Sequence, residues 1–154
     1  MSTTVRENIL EALETLLKTI IAGSVYNNTL ASVERFKARG NSLLLQPCVV
    51  IGAGPENKTL GPDPMTTCKL SVELDLWVRQ EESDTADTDT ILDSLLGDIE
   101  KCLMSDYTLN GNARDVTILD ILPFQTTEGN IQTGLIIEIE VHYRHQRTDP
   151  TIAG

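Results

Sequence analysis

Two stretches of the chain repeat apolar residues at the spacing of an α-helix. The first repeat consists of Val5, Ile9, Leu13, Leu16, Leu17 and Ile20. It predicts a helix over residues 4–22 with one apolar face, and Thr4 followed by Glu7 fits a capping box at its start. The second repeat predicts a helix over residues 86–104. Gly97 lies in the middle of this helix, where we expect it to allow close packing on a strand.

Strict alternation of apolar and polar residues predicts a strand over residues 66–80. One side of the alternation consists of Cys68, Leu70, Val72, Leu74, Leu76 and Val78. The other side is polar, apart from Trp77, the only tryptophan of the chain. Such a pattern is typical of a strand with one face on the core. For Trp77 two interpretations stay open: a half-buried residue shielded by a loop, or an anchor at a protein interface, where tryptophan is enriched.

Further apolar segments predict the remaining strands. Their ranges are 43–51, 114–124 and 131–145. A strand near 31–37 is also compatible with the pattern. In an extended chain that continues past this strand, Arg35, Lys37 and Arg39 would share one face, because alternate residues point the same way.

The segments between these elements complete a single predicted domain over residues 1–154. The glycines and prolines of residues 52–65 predict a long loop, residues 81–90 form an acidic link, and residues 146–154 a short C-terminal tail. The predicted order is helix, three strands, helix, two strands. Hairpin connections imply a mostly antiparallel sheet of four or five strands. Two amphipathic helices suffice to cover one of its faces, so we predict a two-layer α+β sandwich.

Composition and charge narrow the possible functions. The chain has 154 residues and a formal net charge of -11, with 23 acidic and 12 basic residues. This balance argues against a dedicated nucleic-acid-binding protein, because phosphate contacts require clustered lysine and arginine. No apolar run approaches the ~20 residues that span a bilayer. The start of the chain does not resemble a secretory signal, and the three cysteines are far apart, so we expect a cytoplasmic protein with reduced thiols.

The negative charge is concentrated in one part of the chain. Residues 73–100 contain ten acidic residues and one basic residue, a net charge of -9, which leaves -2 for the remainder. Helix capping and solubility account for part of this segment. A second interpretation is that the segment faces a DNA channel or a basic partner, since acidic walls repel phosphate.

Candidate catalytic chemistry is sparse. The segment 52–55 lacks the third glycine of a dinucleotide-binding motif, and the prolines around it oppose an immediate helix. His142 and His145 are three residues apart on a predicted strand, so they face opposite sides and cannot share a metal ion. Glu138, Glu140 and His142 share one face, either as a solvated row or as an acid–base cluster. We predict no catalytic, cofactor or metal site and no enzymatic activity.

Several stretches together resemble the tail terminator (tail completion) proteins of long-tailed bacteriophages. They are the helix opening at Val5-Arg6, the strand Pro47 to Ile51 with its Gly/Pro continuation, the strand Leu74 to Val78, the acidic link into helix 91–103, and the closing strand Gly134 to Tyr143 with the basic segment up to Pro150. The resemblance implies a non-catalytic virion protein of the tail or neck, assembled in the cytoplasm of the bacterial host. In this family a six-fold ring caps the tail tube, ends its growth and binds the head connector or stopper protein.

The resemblance also implies where such a protein makes its contacts, namely in loops and in the terminal strand. The candidate interface residues are Arg35, Lys37, Arg39, Trp77, Arg144, Arg147 and Asp149. The candidate acidic channel or partner face consists of Glu81, Glu82, Asp84, Asp87 and Asp89. For the basic residues, ordinary solvated surface is the alternative.

A ring of six such subunits is compatible with the passage of DNA. A domain of this length has a radius of gyration of ~15 Å and, treated as a sphere, is ~40 Å across. Six touching spheres leave a hole about one sphere wide, which exceeds the ~20 Å width of a DNA duplex. DNA would pass through without specific binding.

Two other functions remain open on the sequence. One is a different structural position in the neck or tail, either a head-tail connector or a tail tube subunit, which would polymerise without a closed end. The other is a small cytosolic enzyme or ligand-binding domain that uses the 52–65 segment and the row of Glu138, Glu140 and His142.

Overall fold

The structure is a computed structural model that describes residues 3–23, 25–35, 45–79, 87–125 and 132–154. Within these ranges it has two helices and a mixed, mostly antiparallel sheet of six strands, which confirms the α+β class. The elements are α1 (Val5–Leu17), β1 (Ser32–Arg35), β2 (Cys48–Leu60), β3 (Met65–Arg79), α2 (Thr88–Ser105), β4 (Asp115–Gln125), β5 (Gln132–Gln146) and β6 (Asp149–Ala153). Neither of the described helices is long and apolar enough to cross a membrane.

The strands follow the order β1-β2-β3-β5-β4 across the sheet, and β6 pairs with the end of β5. Only β1 and β2 run parallel to each other; the other described pairs are antiparallel. β2 and β3 form one long hairpin, and β5 lies between β3 and β4. Along the chain, the order of elements differs from the predicted one by an additional strand, β6, at the end.

The predicted loop over residues 52–65 is wrong, because β2 continues through most of this segment. Gly54 and Pro55 of this strand coincide with a β-bulge, where the register shifts between Ala53 and Glu56. Proline is tolerated at bulges and on strand edges, and the pairing of β1 with β2 ends at Ile51. Pro55 therefore lies on an edge that no neighbouring described strand covers. The hairpin turn is confined to residues 61–64.

The predicted C-terminal tail over residues 146–154 is also wrong, because it contains β6. The Arg147 amide donates a hydrogen bond of 2.7 Å to the carbonyl of Pro64, which holds the segment beside the hairpin turn. Asp149 Oδ1 accepts hydrogen bonds from the amide of Thr151 at 3.0 Å and from its hydroxyl at 2.6 Å. These contacts turn the chain back along β5.

The two helices agree with the sequence in position and differ in detail. Thr4 Oγ1 accepts a hydrogen bond of 3.1 Å from the Glu7 amide, as the predicted capping box requires. The carboxylate of Glu7 does not complete the box but binds the guanidinium of Arg35. An ideal Cβ at Gly97 in α2 would meet nothing within 4 Å, so the expected close packing at this glycine is wrong.

The main core lies between both helices and one face of the sheet. Its members include Ile9, Leu13 and Leu17 of α1, Leu95, Ile99 and Leu103 of α2, and Val49, Leu70, Leu74, Ile137, Ile139 and Val141 of the sheet. We call this side of the sheet the inner face. The opposite side, the outer face, carries the alternate residues, for example Glu73, Asp75 and Trp77 of β3. Two buried side chains of β2, Cys48 and Val50, also lie on the outer face and are not part of the main core.

Candidate interaction surface

A row of aromatic side chains crosses the outer face at one end of the sheet. Trp77 on β3 is opposite Gly134 on β5, which in turn is opposite Phe124 on β4. The rings of Trp77 and Phe124 meet edge to face, with centroids 4.5 Å apart and an interplanar angle of 70°. A Cβ on Gly134 would lie 2.4 Å from Phe124 Cζ and 2.1 Å from the carbonyl oxygen of Leu76. The absence of a side chain at Gly134 therefore allows Phe124 to reach Trp77 across β5.

Apolar residues surround this row and form what we call the aromatic patch. Its members are Cys48, Val50, Trp77, Leu122, Phe124 and Ile136. Trp77 is half-buried against Phe124, whereas Leu122 remains 48% exposed. Burial raises the pKa of the Cys48 thiol to about 11, so this side chain is an uncharged thiol at neutral pH.

Three polar atoms on the outer face are buried without a hydrogen-bond partner among the described residues. They are Trp77 Nε1, Asp75 Oδ1 and Arg144 Nε. Each buried polar group left without a partner costs about 1–3 kcal/mol, and native structures contain few of them. The outer face therefore retains buried polar groups that the described residues do not satisfy.

Carboxylates gather beside the aromatic patch. Glu73 on β3 lies directly opposite Glu138 on β5, and Asp75 follows two residues later on the same face. Burial, and secondarily the charge of Glu73, raises the pKa of Asp75. None of the described ion pairs includes any of these three residues. Because like charges directly opposite each other destabilise a sheet, this arrangement lowers the stability of the isolated subunit.

Residues of both charges occupy the other end of the outer face. Lys69 is opposite His142, which Asp115 of β4 faces from the other side, and Arg144 is opposite Thr67, toward the hairpin turn. His142 Nε2 lies 2.7 Å from Glu140 Oε1, so the predicted row of Glu138, Glu140 and His142 does share a face. His145 lies on the inner face and is 6% exposed, which confirms that the two histidines point to opposite sides.

The other predicted interface residues have varied surroundings. Arg35 lies on the inner side of β1, where its Nη2 donates a hydrogen bond of 3.2 Å to Glu7 Oε2. Asp149 holds Thr151 at the start of β6, and these hydrogen bonds lower the pKa of Asp149. Arg147 is exposed after β5. Lys37, Arg39, Glu81, Glu82 and Asp84 lie outside the described residues.

The acidic segment 73–100 divides into exposed and internal carboxylates. Asp87 caps α2 without a side-chain hydrogen bond, and Asp89 lies in the first turn; both are exposed. Acidic residues stabilise a helix at this end. Asp98 is only 3% exposed, and its carboxylate accepts hydrogen bonds of 2.9 Å from the amide and from the side-chain nitrogen of Asn28. Asp98 directly precedes Ile99, which belongs to the apolar repeat of α2. This position in the sequence could have indicated the internal role of the carboxylate.

A partly buried polar cluster on the inner face was missed by the sequence analysis. Glu56 accepts a hydrogen bond from the hydroxyl of Tyr143, and its Oε2 lies 3.6 Å from both Arg6 Nη1 and Lys58 Nζ. Lys58 Nζ also lies 2.8 Å from His145 Nε2. Burial, followed by the contact with Glu56, raises the pKa of Tyr143. The cluster fastens β2 to α1 and β5, and it escaped prediction because Glu56 was assigned to a loop.

Two hollows lie on the surface of the described residues. A groove of about 670 Å³ lies between α1 and the segment 106–112, and its polar lining includes Glu11 and Asp106. A smaller hollow of about 370 Å³ lies at the bulge of β2, between residues 52–54 and Glu73. Within the described ranges, no group of three or more histidine, cysteine or acidic side chains could hold a metal ion.

Comparison with models of known protein families gives no match. A search among curated proteins finds no similar sequence.

Proposed function

We propose that this chain is a structural protein of a long-tailed bacteriophage, a tail terminator whose copies form a ring through the outer face of the sheet. In this proposal a hexamer caps the tail tube, ends its elongation and joins it to the head connector. The helices form one layer on the inner face, so the fold is a two-layer sandwich whose other face is available for contacts. The family resemblance supports this function, and the outer face supports the mode of contact.

The observation that carries the proposal is the partly exposed aromatic patch on the outer face. Tryptophan and other aromatic residues are enriched at the centres of protein interfaces, where they supply much of the binding energy. A partially exposed Trp77, held edge-on by Phe124, is such an anchor. A second protein surface that covers the patch would remove from water the exposed part of Leu122, which is 48% exposed.

The acidic charge fits a ring through which DNA moves. Asp87 and Asp89 are exposed at the start of α2, after the acidic link that contains Glu81, Glu82 and Asp84. We propose that these residues line the channel, where they would repel phosphate and prevent DNA from adhering. Asp98 is excluded from this role because its carboxylate is engaged inside the subunit.

The decisive experiment is a density map of intact particles made by the phage or prophage that encodes the chain. We expect six copies in a closed ring where the tail tube meets the head connector. A tail–head joint built without this chain would overturn the proposal. Density repeated along the whole tail would assign the chain to the tube instead.

A charge-reversal variant tests the contact residues in the same particles. We expect Arg144→Glu with Arg147→Glu to block the joining of tails to heads without unfolding the subunit. Lys18→Glu is the matched control, because Lys18 is exposed directly after α1, where its described ion pair is with Glu14, at 2.9 Å. Normal yields of infectious particles from the double variant would contradict the proposed contact.

A further inference from the structure

The segment after α2 contains a tight turn whose two central residues have left-handed backbones. Asn110 has a φ of 59° and Gly111 a φ of 80°, and the Asn112 amide donates a hydrogen bond of 3.2 Å to the Leu109 carbonyl. Two positive φ angles inside such a hydrogen bond are typical of a type I′ β-turn, in which Asn-Gly is a favoured pair. Both central residues are exposed, and they form the only Asn-Gly pair of the sequence.

The peptide unit between Asn110 and Gly111 makes no hydrogen bond with any described residue. The Asn110 carbonyl accepts none and the Gly111 amide donates none, whereas the amides on either side are both engaged. The Asn110 amide donates a hydrogen bond of 2.9 Å to Asp106 Oδ2, and the Asn112 amide closes the turn. A Cβ on Gly111 would meet nothing within 4 Å, so its surroundings are open. This peptide unit can therefore rotate without breaking a described contact.

Rotation of this peptide unit converts the turn from type I′ to type II′. The hydrogen bond that closes the turn is kept, ψ of Asn110 changes to about −120°, and φ of Gly111 becomes negative. Glycine adopts both signs of φ about equally well, so Gly111 does not oppose the change. Asparagine is strained in the first central position of a type II′ turn, so the rotated turn is a minor state. In that state the Gly111 nitrogen is eclipsed with Asn110 Cβ, which brings it within reach of Cγ.

We propose that Asn110 is a site of spontaneous deamidation, with the Gly111 nitrogen as the internal nucleophile. Hydroxide removes the Gly111 amide proton, and the electron pair of the nitrogen attacks Asn110 Cγ to form a five-membered imide. The bond between Cγ and Nδ2 breaks, and ammonia leaves with that electron pair and a proton from water. Water then opens the imide. Cleavage of the new bond gives aspartate at position 110, and cleavage of the original backbone bond gives isoaspartate.

Asn112, two residues later, is protected by contacts that Asn110 lacks. Its side-chain nitrogen donates a hydrogen bond of 2.9 Å to the Leu109 carbonyl. The next amide along the chain, that of Ala113, donates a hydrogen bond of 2.8 Å to the Thr108 carbonyl. The leaving group and the nucleophile are thus both held at this position. The turn and its neighbour therefore contain one asparagine that is free to react and one that is not.

Deamidation changes the groove between α1 and the segment 106–112. Asn110 lines this groove together with Glu11 and Asp106, so the product places a third carboxylate there. An isoaspartate also adds one atom to the backbone path of the turn, directly after Leu109, which is fully buried. The modified chain therefore has a more acidic groove and a loosened turn. This inference goes beyond the proposed function and does not depend on it.

Incubation of the folded chain at mildly alkaline pH, followed by peptide mapping with mass spectrometry, tests the inference. We expect Asn110 to be converted first, with imide, aspartate and isoaspartate as the products. Isoelectric focusing should show one negative charge in addition to the formal net charge of -11. The rate should rise in proportion to the hydroxide concentration. Asn110→Gln should abolish the charge shift, because glutamine would have to close a larger ring.

Ala113→Gly is the matched control, because it creates a second Asn-Gly pair two residues after the first. The amide of position 113 should keep its hydrogen bond to Thr108. Asn112 should then react at least about tenfold more slowly than Asn110 in the same folded chain, since two hydrogen bonds must open first. In guanidinium chloride the two positions should react at similar rates, because those hydrogen bonds are lost. Circular dichroism verifies that the variant is folded.

Two outcomes would overturn the inference. One is an Asn110 that stays intact in the folded native chain while the unfolded chain is converted, which would mean that the turn holds its central peptide unit. The other is an Asn112 that reacts as fast as Asn110 in folded Ala113→Gly, which would mean that the hydrogen bonds do not control the reaction. The first comparison needs only the native chain, so it stands even where Ala113→Gly is unstable.

Discussion

The aromatic row gives the sharpest test of the packing on the outer face. In Gly134→Ala the new Cβ would lie 2.1 Å from the Leu76 carbonyl oxygen and 2.4 Å from Phe124 Cζ. The Phe124 ring can move away, but the carbonyl belongs to the paired strand β3. The substitution therefore displaces the ring from Trp77 and strains the pairing between β3 and β5.

The expected cost follows from these two contacts. Inserting a methyl group into a packed site costs about 1–3 kcal/mol, and an aromatic pair contributes about 0.5–1.5 kcal/mol beyond its buried area. We therefore expect Gly134→Ala to lower the free energy of unfolding by about 2–4 kcal/mol. For a domain of this size that corresponds to a fall in melting temperature of ~5–15 °C.

Urea unfolding followed by far-ultraviolet circular dichroism measures the effect. Gly97→Ala is the matched control, because a Cβ there meets nothing within 4 Å and alanine favours a helix by about 1 kcal/mol over glycine. The control should be slightly more stable than the native chain. Gly134→Ala and Phe124→Ala should also be non-additive, since the ring contact can be lost only once. A native urea midpoint for Gly134→Ala would refute the packing described here.

Three further substitutions test other contacts by urea unfolding. Asp75→Asn should raise the urea midpoint at pH 7, because the raised pKa of Asp75 means that its charged form destabilises the folded chain. The native chain regains this stability as the pH falls through that pKa, so the advantage of the variant should vanish in acid. A lower midpoint of the variant at pH 7 would contradict this reasoning. Asp98→Ala should cost about 2–3 kcal/mol, because it removes a buried carboxylate that accepts hydrogen bonds from the partly buried Asn28; a cost below about 1 kcal/mol would contradict the role of this carboxylate. Tyr143→Phe should cost about 1–2 kcal/mol by removing the hydroxyl that donates to Glu56, and unchanged stability would exclude that hydrogen bond.

The elements that the sequence predicted correctly are those with a local signature. The alternation over residues 66–80 identified β3 and put Trp77 on the outward side, because a period of two is a property of the strand alone. The apolar repeats located both helices, because a spacing of three and four residues is likewise a local property of the helix. The capping box was half correct, since Thr4 caps α1, whereas the carboxylate of Glu7 turned to Arg35, 28 residues away.

The errors and omissions depend on contacts between distant segments. The segment 52–65, assigned to a loop, is mostly a strand because β3 pairs with it. Pro55 is tolerated because the described part of β1 pairs with β2 only as far as Ile51. The opposition of Glu73 and Glu138 requires the register between β3 and β5, which no local pattern supplies. The candidate surface was therefore predictable at Trp77, but the charges around it were not.

The central position of β5 sets the order in which the subunit can be completed during synthesis. In the sequence, 131 residues precede this strand, yet it joins β3 to β4 and carries β6. A nascent chain that stops before it has no strand between the two halves of the sheet. It also lacks Glu138 and Arg144 of the outer face. A prematurely terminated chain therefore cannot complete the sheet, and it lacks part of the face that we propose as the contact surface.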